Sequence, residues 1–353
     1  MTKRVCVVKG EDAAPEVVVP TVQILEAMKL DIEFIWAETG DEAVAKYGTS
    51  FPESAKKMID SSDCALMGST RNIRGVHGYL RWGKKCFANI RPTKYIPGFR
   101  SPLKNPVGID FIILRENLEG LYPGWEGDIE QLAPLRLKND MLGLMLDTTM
   151  KGKFAVKANT EAITRDICRV ACELAMRRKA NGGPGKVTVS SKYNLLTQSD
   201  EMFRRIAEET VRQYPGLTFG QLIIDNCAQQ LVINPQQFDV LVMDNEHGDI
   251  LADEAAALIG GLGLAPNACV GKGYAYFGSV HGTAPDIAGK NIINPTAMLL
   301  SGVMLLEHLG YDKEAAHLEA AVYQVYKNGK HLTRDQGGSA STTQFCKAVR
   351  SNL

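Results

Sequence analysis

Short apolar runs separated by helix-like stretches restrict the folds open to this chain. Residues 5–8, 32–36 and 64–67 are brief and almost wholly apolar. Between them, 15–28 and 52–60 carry helical spacing. A strand apolar on both faces needs cover on both, and parallel strands joined by helices supply it. The alternation predicts an α/β sheet. Further strands are expected at 110–115, 154–159, 187–190, 221–224 and 240–243, and helices at 74–84, 160–178 and 200–213. The stretches 92–106 and 181–185 read as loops, and the C-terminal third reads as mostly helical: 255–262, 296–309, 313–327 and 341–350.

A length of 353 residues suits two domains or one large α/β unit. The formal net charge is zero, so no overall field favours nucleic acid or an anionic membrane. Any anionic ligand must be held by local charge. Eight cysteines are scattered without a CxxC pair. Cys168 and Cys172 lie on one face of a helical pattern and are expected to pack. Reduced thiols and a cytoplasmic location are the expectation. The start runs directly into a strand, too short for a signal peptide. No apolar run approaches the ~20 residues of a membrane span.

Several constellations carry chemistry. Asp249 and Asp253 are one helical turn apart, so on a helix their carboxylates share a face. Asp225, after an expected strand, could complete an oxygen site suited to Mg²⁺ or Mn²⁺. The plain alternative is an acidic helix start favoured by the helix dipole. Arg81, Arg91 and Arg115 form a second set, because guanidinium forks bind carboxylates bidentately. Three unrelated surface arginines would give the same pattern. Tyr122 and Lys192 are candidate proton-transfer groups, each equally readable as structural. His281–Gly289 could wrap a nucleotide, with Asp286 accepting from a ribose hydroxyl, or could be an ordinary loop. Residues 10–16 lack the glycines of GxGxxG, which argues against an ordinary Rossmann site.

Taken together, these residues resemble the β-decarboxylating dehydrogenases: the isocitrate, homoisocitrate, 3-isopropylmalate and tartrate/D-malate dehydrogenase family. The likeness is carried by Leu80-Arg81 with Phe87–Pro92, by Arg115-Glu116-Asn117 with Glu119-Gly120 and Tyr122, by Gly248–Leu251 with Asp253, and by His281–Gly289 with Asn294-Pro295. It implies the fold of that family rather than the ordinary Rossmann fold: a large cofactor domain from 1–95 and 256–353, and a small domain from 96–255 with the dimer interface. It implies Tyr122, Lys192 and Asp225 as catalytic residues, and Asp225, Asp249 and Asp253 as metal ligands. It implies Arg81, Arg91, Arg115 and Asn194 at the substrate. Thr70, His281, Gly282, Thr283, Ala284, Asp286, Ile287 and Asn294 would bind NAD. A homodimer with shared active sites is implied, Lys192 and Asp225 reaching into the partner's site. The implied reaction is oxidation at the hydroxyl carbon, loss of CO₂ and protonation of the enolate by Tyr122.

The chain departs from the family pattern at three places. Only Gly10, Pro15 and Glu16 remain of the usual first turn, Gly278 stands where a glutamate is common, and Glu246-His247 replaces a leucine and an aromatic. The family reads its substrate's substituent from the helix before Arg81. Arg74, His77, Gly78 and Arg81 would share one helical face, which suits a polar or anionic substituent of isocitrate or homoisocitrate type. A 3-isopropylmalate or tartrate/D-malate dehydrogenase is the alternative. A non-catalytic regulatory subunit is another, against which stands the presence of every catalytic group.

Overall fold

The computed structural model describes residues 2–353. The chain opens with β1 (Lys3–Val8), α1 (Pro15–Ala27), β2 (Ile32–Ala37), α2 (Gly40–Tyr47), α3 (Glu53–Asp60) and β3 (Cys64–Met67). Two short wide-turn segments, Ile73–His77 and Tyr79–Gly83, lead into β4 (Ala88–Lys94) and β5 (Asp110–Glu116). A small arm follows, made of β6 (Glu126–Asp128) and β7 (Lys153–Ala155). Then come α4 (Glu161–Ala180), β8 (Lys186–Ser191), α5 (Ser199–Val211), β9 (Thr218–Ile223), α6 (Ile224–Ile233), β10 (Val240–Met243) and α7 (Asn245–Ile259). The chain closes with β11 (Pro266–Val270), β12 (Ala275–Ser279), α8 (Thr296–His308), α9 (Asp312–Asn328) and α10 (Thr342–Arg350).

Ten strands make one sheet in the order β2-β1-β3-β12-β11-β4-β5-β10-β8-β9. The four strands at each end run parallel among themselves. β11 and β4 join the halves through antiparallel pairings, so the two parallel sets run in opposite directions. The half containing β1 is built from residues 3–94 and 266–279, the other from 110–243. The carboxyl ends of β5, β8, β9 and β10 therefore share one edge, where such sheets bind ligands. Arg115, Lys192, Asp225 and Asp244 lie at those ends.

The inner strands are largely buried on both faces, while the edge strands β2 and β9 are only half-buried. In β1, Val5 and Val7 belong to the larger core cluster and Cys6 and Val8 to the cluster on the opposite face. Helix α8 is buried from Thr296 through Val303 and packs against β11 and β12.

Three elements differ from expectation. β4 occupies part of the stretch read as a loop. Its Pro92 is tolerated because β11 pairs only with Ala88–Ile90, so beyond Ile90 the strand is paired on one side only. β11 and β12 form a hairpin in the segment read as mostly helical. The helix expected at 74–84 is broken at Gly75, whose φ of −85° and ψ of −132° are not helical.

Leu299 in α8 is fully buried. Leu299→Ala should cost about 2–5 kcal/mol of stability, read as a lowered urea midpoint. An unchanged midpoint would remove α8 from the core.

Candidate active site

Arg115 lies near the end of β5, Arg91 within β4, and Arg81 on the second wide-turn segment. All three are buried. Arg81 donates from Nε to the Asn117 carbonyl at 2.5 Å and from Nη2 to Asn245 Oδ1 at 2.8 Å. Arg115 donates from Nε and Nη2 to that same oxygen, at 3.1 and 2.7 Å. Asn245 in turn donates to the Glu119 carbonyl at 2.7 Å. Asn245 is thus a hub that sequence reasoning did not single out, although it opens the Asn-Glu-His-Gly-Asp stretch.

Helix α7 supplies the acids. Its N-cap is Asp244, whose side chain accepts from the His247 N–H. Asp249 and Asp253 fall one turn apart, as expected. Arg91 donates to Asp249 at 3.1 Å and to Asp253 at 3.3 Å, and Arg115 pairs with Asp249 as well. A Cβ on Gly248 would stand 2.7 Å from that of Arg115, so glycine permits this close approach. Burial pulls the Arg115 pKa down to about 10, with the Arg91 charge adding to it, and Arg115 still stays charged at neutral pH. The Tyr122 ring lies 5.2 Å from the Arg115 guanidinium. Burial and then the Asp249 carboxylate raise the Tyr122 pKa, so its phenol keeps its proton.

Lys192, just after β8, pairs with Asp225 in the first turn of α6. The Lys192 ammonium holds the Asp225 carboxyl below its ordinary range. Asp225 does not join Asp249 and Asp253. Among the described residues, Asp200, Asp244 and His247 form the one trio of metal-ligating side chains whose ligand atoms lie within 4.8 Å of one another. Asp249 and Asp253 offer hard oxygens that fit a divalent cation, and within one chain the third acid is elsewhere. Asn194 is exposed.

On the other half of the sheet, the segments after β3 and β12 enclose a cavity of about 190 Å³. Thr70, His77, Asn267, Tyr276, Ser279 and His281 line it. Thr70 Oγ1, Ser279 Oγ and His281 Nε2 are buried there without hydrogen-bond partners. Such orphaned polar atoms fit a polar ligand such as a dinucleotide. A wider groove of about 750 Å³ runs past His281, Gly282, Ala284, Ile287 and Asn294 to Arg334. The loop is anchored from outside. Glu16 accepts from the Gly289 and Asn291 N–H groups, both at 2.6 Å, and the Ala13 N–H donates to the Thr283 carbonyl at 3.0 Å. Thr283 is half-buried and Asp286 exposed. Asn294 is buried, caps α8 and donates to Asp335.

Residues 4–349 match the family model described as isocitrate/isopropylmalate dehydrogenase. The chain belongs to that family. It is 37% identical to a 3-isopropylmalate dehydrogenase of Archaeoglobus fulgidus, over 99% of each chain. It is 38% identical to an isocitrate/homoisocitrate dehydrogenase of Thermus thermophilus, over 99% of this chain and 98% of that one. The crystal structure of isocitrate dehydrogenase from Methylococcus capsulatus superposes with a TM-score of 0.86 at 32% identity, covering 99% of both chains. The fold is thus that of the isocitrate/isopropylmalate dehydrogenases, and the chain is a β-decarboxylating dehydrogenase. Family members use NAD or NADP with a divalent metal on small hydroxy acids.

One departure from the family pattern, and one from the expected helix, have structural reasons. A Cβ on Gly278 would stand 2.4 Å from the Met67 carbonyl oxygen, so this backbone has no room for a glutamate side chain there. The single helical face expected for Arg74, His77, Gly78 and Arg81 does not form, because Gly75 breaks the segment. At Gly78, the missing Cβ lets the Ile73 carbonyl approach to 2.6 Å of where it would stand. Arg74 is exposed, and its guanidinium contacts no acid among the described residues. No helix is long and apolar enough to cross a membrane.

Burial, followed by the charges of Arg81, Arg115 and Arg91, lowers the His77 pKa to about 4. Between about pH 4 and 6.5 the folded state therefore binds fewer protons at His77 than the unfolded state. Stability contributed by neutral His77 should be lost as pH falls through that window. His77→Gln should flatten this part of the curve, measured as urea midpoints at pH 5 and 7. Equal acid sensitivity in the variant would show that the folded state does not hold His77 neutral.

Proposed function

We propose that this chain oxidises and decarboxylates a 3-substituted malate bearing a polar or anionic substituent, of isocitrate or homoisocitrate type, with NAD and Mg²⁺ or Mn²⁺. The observation that carries the reading is an excess of buried cation. Arg81 rests on neutral oxygens alone, and Arg91 and Arg115 share two acids. A buried charge without a counter-charge is costly, and a substrate with several carboxylates supplies the missing charge. The exposed, unengaged Arg74 supports a polar or anionic substituent, while neutral His77 offers hydrogen bonding rather than charge.

Asp249 and Asp253 would hold the metal, with Asp225 from a second copy of the chain. Thr70, His281, Gly282, Thr283, Ala284, Ile287 and Asn294 would hold the dinucleotide, with Asp286 on the ribose favouring NAD over NADP. When bound, the cation would polarise the oxygen at C2 and the nicotinamide would accept its hydride. The protein's own groups do the rest. Arg81, Arg91 and Arg115 fix the carboxylates, with Asn194 beside them. Lys192, once it has passed a proton to the paired Asp225, would take up the hydroxyl proton. Tyr122 keeps its proton until carbon needs it.

The assembly in this reading is a homodimer with shared sites. It is supported by the arm between β6 and β7, which exposes Leu135, Leu137, Met141, Leu142, Leu144 and Met145. The domain division is 1–95 with 256–353, and 96–255. It is supported by the opposed strand directions of the two half-sheets. A cytoplasmic setting is supported by eight buried, unpaired thiols.

A panel of 3-substituted malates, assayed with the purified chain, NAD or NADP, and Mg²⁺ or Mn²⁺, tests the reading. Turnover of isocitrate or homoisocitrate with NAD is expected. Preference for 3-isopropylmalate would overturn the substituent, preference for NADP the role of Asp286, and no turnover the enzyme itself. Tyr122→Phe should lower kcat for decarboxylation by about 10²–10⁴-fold with little change in substrate affinity. An equal loss in both would make Tyr122 a binding residue.

A further inference from the structure

Behind the site lies a buried ion network that none of the roles above uses. Lys157 lies between β7 and α4, Asp200 in the first turn of α5, and Asp244 at the N-cap of α7. Lys157 Nζ stands 2.8 Å from Asp200 Oδ1 and 2.5 Å from Asp244 Oδ2. Both aspartates are fully enclosed.

Each carboxylate has a second task. Asp200 Oδ2 accepts the backbone N–H of Lys192 at 2.8 Å. Asp244 Oδ1 accepts the backbone N–H of His247 at 3.0 Å, and the His247 ring nitrogen Nδ1 lies 3.0 Å from the same oxygen. One carboxylate thus fixes the backbone from which Lys192 projects. The other fixes the first turn of the helix that presents Asp249 and Asp253.

The sheet itself does not hold these parts together. The ladder between β8 and β10 ends at Val189 and Val242, before either Lys192 or Asp244 is reached. Beyond it, the Lys157 ammonium bridges the two chain segments through Asp200 and Asp244. Asp200, Asp244 and His247 gather like metal ligands. The Lys157 ammonium already supplies the positive charge there, so the cluster reads as an ion network rather than a second metal site. Burial raises the Asp244 pKa, but His247 and Lys157 outweigh it and hold the carboxyl at about 2.

We propose that Lys157 is a positioning residue, which fixes the backbone of Lys192 through Asp200 and the first turn of α7 through Asp244, so that each chain presents Lys192 to its partner's site and Asp249 and Asp253 to its own. The proposal rests on the roles given above to Lys192 and to the two acids. It also accounts for Glu246-His247, where the family commonly has a leucine and an aromatic: His247 is the second partner of Asp244.

The test compares Lys157→Met, Lys157→Arg and the unaltered chain at a temperature well below each unfolding midpoint. Lys157→Met removes the shared charge at similar side-chain length. It should lower kcat on the order of 10²-fold, since small misplacements of a reacting group cost that much. The substrate KM should change far less. Lys157→Arg should restore most of the rate. Mn²⁺ binding to the substrate-free protein, measured by calorimetry, should weaken in Lys157→Met whether or not the right substrate has been found. A lowered melting temperature with unchanged kcat and Mn²⁺ affinity would overturn the proposal. If no malate is turned over by the unaltered chain, the proposed function fails, and unchanged Mn²⁺ affinity still overturns the role of Lys157. Should Lys157→Met not fold, Asp200→Asn serves, because it keeps an acceptor for the Lys192 N–H and removes one of the shared charges. It should lower kcat by a smaller factor with the substrate KM little changed, and an unchanged kcat would overturn the proposal.

Discussion

One amide oxygen organises the site. Asn245 Oδ1 accepts from Arg81 once and from Arg115 twice. Two buried guanidinium groups close together repel each other and have lost their water. A carboxylate at position 245 would answer both problems, but it would also cancel the charge that a substrate carboxylate needs. A neutral acceptor satisfies N–H groups without neutralising them. Asn245 is held for that task by its position at the start of α7 and by its own donation to the Glu119 carbonyl. The positive field at the site is therefore built into the backbone of α7 and the turn after β5. The same helix carries Asp249 and Asp253, so any displacement of its N-terminus moves arginine support and acids together.

The sequence spells out this site unevenly. Asp249 and Asp253 were legible because helical spacing alone aligns them, and Arg81, Arg91 and Arg115 because guanidinium groups near expected strand ends suggest an anion. Asn245 was not, since an asparagine at a helix start ordinarily reads as a cap. Lys157 was harder still. Its partners stand at 200 and 244, on different elements, and nothing local distinguishes it from a solvated lysine. Only the three-dimensional arrangement makes it a bridge beyond the ladder of β8 and β10. Glu16 is an intermediate case. It was noticed as a remnant of a turn pattern, but its hold on Gly289 and Asn291 is a contact across more than 270 residues.

The fold followed the same rule. β1 and β3 were evident because full burial demands continuous apolar residues, and half-buried β2 because its run is apolar but for Glu33. β4 was concealed by Pro92, which breaks a central strand but is harmless where pairing on one side has ended. β11 and β12 are short and carry alanine, cysteine and glycine, residues with weak strand preference. Their place in the middle of the sheet comes from tertiary pairing, which overrides local preference. Gly75 is the reason no regular helix forms at 74–84, because its φ and ψ are not helical.

The placement of Asp225 has the widest consequence. Within one chain its carboxylate is largely exposed, paired with Lys192, and separate from Asp249 and Asp253. A cation held by two carboxylates alone would keep many water ligands, whereas a third acid adds both charge and rigidity. On the proposed dimer, that third acid and the lysine come from the opposite chain. Chain association then becomes a condition of metal binding, and the apolar arm between β6 and β7 is part of the chemistry although no residue of it touches the reacting atoms. The charges obey the same logic. In the lone chain, Arg91 and Arg115 rest against Asp249 and Asp253. A divalent cation would draw those acids away from the arginines and free them for substrate carboxylates, so metal and substrate would favour each other's binding through a shared set of ion pairs.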